Sequence, residues 1–194
     1  VTRRSLSRDE RGAALIEFAF VVPVFLLLVM GFCELAYQAY VQSVLTGAVQ
    51  KAGRDATIQG ATTSGIDGSV LTQVQAAAPR AAFATGYPSR KSYAQFGDIE
   101  PEPFVDTNGN GVRDTGECFT DVNDNDLWDA DPGTTGQGGA NDAVVYTVAI
   151  IYPRLFPLAA RMGWGTTQTL SATTTLKNQP YASQQTGTYS TVCT

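Results

Sequence analysis

The residues best suited to chemistry lie near the middle of the chain. From Asp106 to Glu117 the run DTNGNGVRDTGE fits the loop pattern D-x-[DN]-x-[DN]-G-x5-E at every specified position. Calcium takes about six to eight oxygen ligands from carboxylates, amides and backbone carbonyls, and this spacing offers such a set. The expected ligands are Asp106, Asn108, Asn110, the Val112 carbonyl, Asp114 and a bidentate Glu117, with Gly111 allowing the sharp turn at the sixth loop position. Fifteen residues on, the pattern recurs as Asp121, Asn123, Asn125, the Leu127 carbonyl, Asp129 and Asp131. Here the sixth position is Asp126 instead of glycine, and the twelfth is Pro132 instead of glutamate. Either the second site is weaker, or its closing ligand comes from Asp131 or from elsewhere in the chain.

The loops sit in an acidic stretch. Residues 98–131 hold eleven acids and one base, Arg113, a net charge of −10 against −5 for the whole chain of 194 residues. Such a run repels itself unless a cation neutralises it, so Ca2+ is expected both to bind and to order the segment. Millimolar calcium outside a cell fills even weak sites of this kind. Pro101 and Pro103 before the loops and Pro132-Gly133 after them argue against flanking helices, and so against a sensor that opens on binding.

Composition removes other classes. The chain has no His, which excludes Ser-His-Asp and Cys-His nucleophile pairs and every His-containing zinc or iron site. Three Cys cannot build a four-cysteine zinc centre. A net negative chain lacks the basic footprint of a nucleic-acid binder. No nucleophile motif is present, and an enzyme is not expected.

The elements that position the loops begin with a long helix. Ala13 to Cys33 is a run of 21 residues with one charge, Glu17. At 1.5 Å per residue it covers about 30 Å, the hydrocarbon core of a bilayer. The run is longer than the apolar region of a cleavable signal peptide, and bulky residues follow it, so it is expected to stay as a single-pass membrane helix. Arg3, Arg4, Arg8 and Arg11 place its N-terminal side in the cytoplasm. Beyond it, Leu35, Tyr37, Val41, Leu45, Val49, Ala52 and Ala56 recur at helical spacing, extending one helix to about Ile58 with Gly60 as its stop. Residues 61–69 read as a linker, and 70–84 as a second helix interrupted near Pro79. Strands are predicted at 143–153 and 167–176, a weaker one at 87–96, a helical turn at 155–162, and a flexible loop just before Asn141. In an oxidising compartment Cys118 and Cys193 are the natural disulfide pair, with two free thiols as the alternative; Cys33 serves as a small apolar residue.

A carboxylate within hydrocarbon costs a few kcal/mol, so Glu17 either reaches water at the interface or has a partner. Gly12-Ala13-Ala14-Leu15-Ile16-Glu17-Phe18, behind an Arg-rich leader and before an apolar run, resembles a type IV pilin processing site. The longer run from Arg11 to Gly60 resembles the TadE-like minor pilins of the tight-adherence (Tad/Flp) system. The shared features are G-x-x-x-x-E-F, Pro23 within the apolar run and Glu34 just after it, and the closing TTTLKNQPYA is loosely similar to the end of that domain. The resemblance implies that a prepilin peptidase removes leader 1–12 by cutting between Gly12 and Ala13. Glu17 then becomes the fifth residue of the mature chain, able to pair with the new α-amino group of a neighbouring subunit. Subunits would pack through residues 13–58 as a homo- or hetero-oligomeric filament.

The implied fold is α+β and pilin-like. A helix over 13–60, membrane-spanning in 13–33, packs on a small antiparallel sheet within an extracytoplasmic domain, 61–194. Residues 104–132 form an inserted calcium-loop module that looks like those of dockerin-like and thrombospondin type-3 proteins. The implied function is that of a structural minor pilin or pseudopilin that helps initiate, cap or assemble an adhesive Tad-type pilus. It would reside in the inner membrane before assembly and in the extracellular pilus afterwards. The alternatives are a permanently anchored, calcium-binding adhesion protein and the main subunit of a larger pilin-like filament.

Overall fold

Apolar residues at helical spacing, uninterrupted by Gly-rich or Pro-rich turns, make the N-terminal segment one element: α1 runs from Ala13 to Asp55, with Pro23 inside it. The computed structural model of the chain describes residues 12–56, 62–156, 163, 165–178 and 189–193. The leader and Gly60 lie outside the described residues. The chain divides into two compact units, Val1–Tyr40 with Arg154–Thr166, and Val41–Pro153 with Thr167–Thr194.

In the first unit α1 presents Leu15, Phe18, Phe20, Val24, Phe25 and Phe32 as exposed side chains, Phe20 at 77% exposure. Among the described residues this is the one helix long and apolar enough to cross a membrane, and its most apolar window is wholly unburied. Glu34 ends the apolar run. Its Oε2 accepts the backbone N–H groups of Leu155 (3.1 Å) and Phe156 (3.3 Å), and its Oε1 lies 3.7 Å from Arg154 Nη1. Residues 154–156 are not helical, and the rest of the predicted turn at 155–162 lies outside the described residues.

In the second unit the same helix becomes core. Val41, Leu45, Ala48, Val49 and Ala52 are buried at helical spacing. A Cβ on Gly53 would stand 3.0 Å from Thr174 Cγ2, so glycine permits the close approach there. Gln42 Nε2 donates to the Ser171 carbonyl at 3.0 Å. The second helix starts earlier than predicted: α2 spans Thr63–Ala77, and 63–69 are helix, not linker. The Thr62 hydroxyl caps it by accepting Gly65 N–H at 3.3 Å, and Ile66 joins Val70 and Val74 in a buried row spaced by four. Two glycines masked that row in the sequence. α2 ends before Pro79, whose ring disfavours helical backbone in the preceding residue, so 78–84 are not helical.

The strands are β1 (Ala82–Phe83), β2 (Ser89–Tyr93), β3 (Cys118–Asp121), β4 (Thr134–Thr135), β5 (Ala143–Pro153), β6 (Thr167–Lys177) and β7 (Ser190–Cys193). The fold is α+β. Val, Ile and Tyr favour the pleated surface, and β5 buries Val144, Tyr146, Val148, Ile150 and Tyr152 on one face. Antiparallel register sets these opposite Leu176, Thr174, Ala172, Leu170 and Gln168 of β6. The other edge of β5 pairs with β1 and with β2, and β2 pairs with β4. β4 occupies part of the segment read as a flexible loop, and β1 part of the predicted second helix. Asp67 of α2 receives Tyr146 Oη at 2.7 Å and Arg90 Nη2 at 2.5 Å, linking α2 to β2 and β5. Strands β3 and β7 form a separate two-stranded sheet.

Leu45 and Leu28 therefore test two surroundings on one helix. Leu45→Ala is expected to destabilise the detergent-solubilised chain by about 2–5 kcal/mol in denaturant unfolding. Leu28→Ala, 57% exposed, is expected to change it by no more than about 0.5 kcal/mol. Equal losses would contradict the assignment.

Candidate functional site

The two acidic loops are built around β3. Phe104 forms an isolated antiparallel bridge with Phe119. Val105 N–H reaches the Cys118 carbonyl and Thr120 N–H the Pro103 carbonyl, both at 2.8 Å, which closes the base of the first loop. Cys118 and Cys193 face each other in the β3–β7 ladder and are joined by a disulfide. The bridge closes a separation of 75 residues, which removes about 4 kcal/mol of unfolded-chain entropy in the loop-closure treatment. Cys33 is free and exposed.

The first loop is organised by Asp106. Its Oδ1 accepts the N–H groups of Gly109 (2.7 Å) and Asn110 (3.2 Å), and its Oδ2 that of Gly111 (2.8 Å). Asn108 Oδ1 accepts Asn110 N–H at 3.0 Å, and Asn110 Oδ1 accepts Val112 N–H at 2.7 Å. The amide nitrogens of Asn108 and Asn110 both donate to Asp114 Oδ2, at 2.7 and 2.8 Å. Glu117, buried, closes the loop: Oε1 accepts Thr107 N–H at 2.8 Å, and Oε2 accepts Asp114 N–H at 3.0 Å.

The second loop repeats this scheme fifteen residues later. Asp121 Oδ1 accepts Asn123 N–H (3.1 Å) and Asp124 N–H (2.7 Å), and its Oδ2 accepts Asp126 N–H (2.7 Å). Asn125 Oδ1 accepts Leu127 N–H at 2.7 Å. Asn123 and Asn125 donate to Asp129 Oδ2 at 2.9 and 2.7 Å. Asp124 and Asp126 each adopt a φ of 61°, where the first loop has Gly109 at 74° and Gly111 at 75°. Aspartate tolerates this left-handed backbone better than most residues, so the turn survives without the sixth-position glycine.

Asp131 has its partners outside the second loop. It pairs with Lys91 Nζ, and its Oδ1 accepts Tyr93 Oη at 2.7 Å and Gly133 N–H at 3.3 Å, all directed toward β2 and its neighbouring turn. Glu102, which the loop pattern does not include, contacts the second loop. Its Oε1 accepts Val122 N–H and its Oε2 accepts Asp129 N–H, both at 2.9 Å. The sequence carries a signal for it beyond the missing acid at position twelve: Glu102-Pro-Phe-Val-Asp106 recurs fifteen residues on as Glu117-Cys-Phe-Thr-Asp121, which puts Glu102 in register with Glu117.

These contacts favour the ionised forms of Asp106, Glu117, Asp121 and Asp131. The Gly111 amide, helped by those of Gly109, Asn110 and Asn108, outweighs burial and holds Asp106 below its ordinary value. The Asp114 amide, then the amide and hydroxyl of Thr107, do the same for Glu117. Burial pushes Asp121 up, but four loop amides led by that of Asp126 win and lower it. Asp131 is also lowered, with Lys91 and Tyr93 overcoming burial, while burial and Asp131 together push Tyr93 up to about 12.

Among the described residues, no three His, Cys, Asp or Glu side chains converge as a metal-binding group. The loops instead interleave carboxylates with asparagine amides and carbonyls. In the second loop Asn123 Oδ1 is buried and accepts no hydrogen bond.

At the other end of the chain, Gly12 precedes α1, Ala13 is its first residue, and Glu17 is exposed on it. Residues 12–54 match the family model of TadE-like protein. The matched segment ends before α2 and leaves the loops outside it. No curated protein and no solved structure matches the chain.

Proposed function

We propose that the protein is a TadE-like minor pilin, a structural subunit that helps initiate, cap or assemble a Tad-type pilus. The observation that carries this reading is the match of residues 12–54 to the TadE-like family, lying on a helix whose first half is apolar and uncovered. A helix of this kind needs lipid before assembly and neighbouring helices afterwards. Cleavage between Gly12 and Ala13 by a prepilin peptidase would create an amine one helical turn from Glu17. The Glu17 carboxylate of one subunit would pair with the amine of the next, which offsets the desolvation of both charges and sets axial register. Glu17→Ala is expected to leave the chain inserted in the membrane while abolishing its recovery in sheared pili or in the initiating complex. Normal recovery of the variant would contradict the proposal.

The acidic loops serve this subunit as calcium sites that stiffen the part exposed beyond the membrane. Asp106, Asn108, Asn110, Asp114, Glu117 and the Val112 carbonyl would hold an ion in the first loop. Asp121, Asn123, Asn125, Asp129 and the Leu127 carbonyl would do so in the second. A bound divalent cation supplies the positive charge that a −10 segment lacks. The repeated oxygen pattern supports this. Calorimetric titration of the chelator-treated full chain with calcium is expected to give heat and a raised melting temperature. No heat and no shift would contradict it.

A further inference from the structure

The strongest unexplained group in the molecule is Glu102. It is 1% exposed, carries a carboxylate, and makes no ion pair among the described residues. A charge in that position is costly unless something compensates it. Its two oxygens accept from Val122 and Asp129, the second and ninth residues of the second loop. Glu117 accepts from Thr107 and Asp114, the second and ninth residues of the first loop, with the same oxygen-to-position assignment. The two carboxylates occupy equivalent places in two equivalent loops, one reached from within the loop and the other from outside it.

We propose that Glu102 is the closing carboxylate of the second loop, in place of the glutamate that Pro132 displaces, so that the chain carries two complete calcium sites. This rests on the reading of the loops as calcium sites. Two further observations support it. The residue is locked onto the loop by its backbone: Glu102 N–H donates to the Asp129 carbonyl at 3.0 Å, and Trp128 Nε1 donates to the Glu102 carbonyl at 2.8 Å. Separately, the third-position Asn123 of this loop leaves Oδ1 buried without a donor, whereas its counterpart Asn108 Oδ1 accepts Asn110 N–H. A buried amide oxygen with no donor is open to a cation or a water, and Asn123 is a ligand position of the loop.

The arrangement interlocks the two sites. Glu102 precedes the first loop in the chain yet completes the second, so the second site forms only when the segment around Pro101–Pro103 is folded back on residues 121–129. Asp131, the nearer acid in sequence, is left to Lys91 and Tyr93.

The test uses the full chain in detergent with Trp164→Phe as background, leaving Trp128 as the sole tryptophan. Calcium stoichiometry is read by calorimetry, and the second loop is read by terbium luminescence sensitised through Trp128. The background protein is expected to bind two calcium ions and to give strong terbium emission. Glu102→Gln keeps the side-chain volume and one carbonyl oxygen; it is expected to weaken the terbium signal's affinity by about tenfold or more and to leave one calcium site intact. Glu117→Gln is expected to do the reverse, sparing the terbium signal, and Asp131→Asn to spare both sites. Should Glu102→Gln fail to fold, Glu102→Asp keeps the charge but shortens the reach, and the same selective weakening is expected. Two intact sites in the folded Glu102 variant, or loss of the second site in Asp131→Asn alone, would overturn the role of Glu102 while leaving the calcium reading standing. No calcium bound by the background protein would overturn both.

Discussion

The structure depends on a change of surroundings along one helix. Up to Tyr40, α1 carries large apolar side chains that the rest of the described chain leaves uncovered; from Val41, its inward row is among the most deeply buried in the protein. Hydrophobic burial is the dominant favourable term in folding, and here one continuous element contributes it in two ways. The later half is spent inside the chain, against the sheet formed by β5 and β6. The earlier half leaves its large apolar side chains uncovered by the described chain. A residue's contribution to the buried core is thereby confined to the later part of α1.

The acidic loops pose the opposite problem, since they contain charge that folding buries. Glu102, Glu117 and Asp121 are each nearly inaccessible. Backbone N–H groups aimed at their oxygens meet part of the desolvation cost. The β3–β7 ladder and its disulfide hold the base of the loops. Glu34 shows the same economy on a smaller scale: a single carboxylate at the end of the apolar run organises the backbone at Leu155 and Phe156.

Much of this was legible in the sequence where periodicity or a fixed motif spoke clearly. The long helix, the two long strands and the first loop follow from apolar spacing, β-branched content and the positions of Asp106 through Glu117. The Cys118–Cys193 pairing was one of two readings left open, and the register of β3 with β7 settles it. What was hidden had local signals that pointed elsewhere. Gly65 and Gly68 disguised the first turns of α2, whose cap and buried Ile66 override their low helix propensity. The short strands β1, β4 and β7 owe their existence to partners far away in the chain. Glu102 lies outside the twelve-residue pattern that starts at Asp106, although the fifteen-residue repeat puts it in register with Glu117.

The most direct test of the divided helix is thiol accessibility in intact membranes. Cys33 is the one free cysteine and lies in the uncovered apolar half of α1; Gln50→Cys places a second thiol on the exposed side of the later half. A membrane-impermeant maleimide is expected to label the thiol at position 50 and to leave Cys33 unlabelled until detergent is added. Labelling of Cys33 in intact membranes, at a rate like that of position 50, would contradict the assignment of the first half of α1 to lipid or to packed helices.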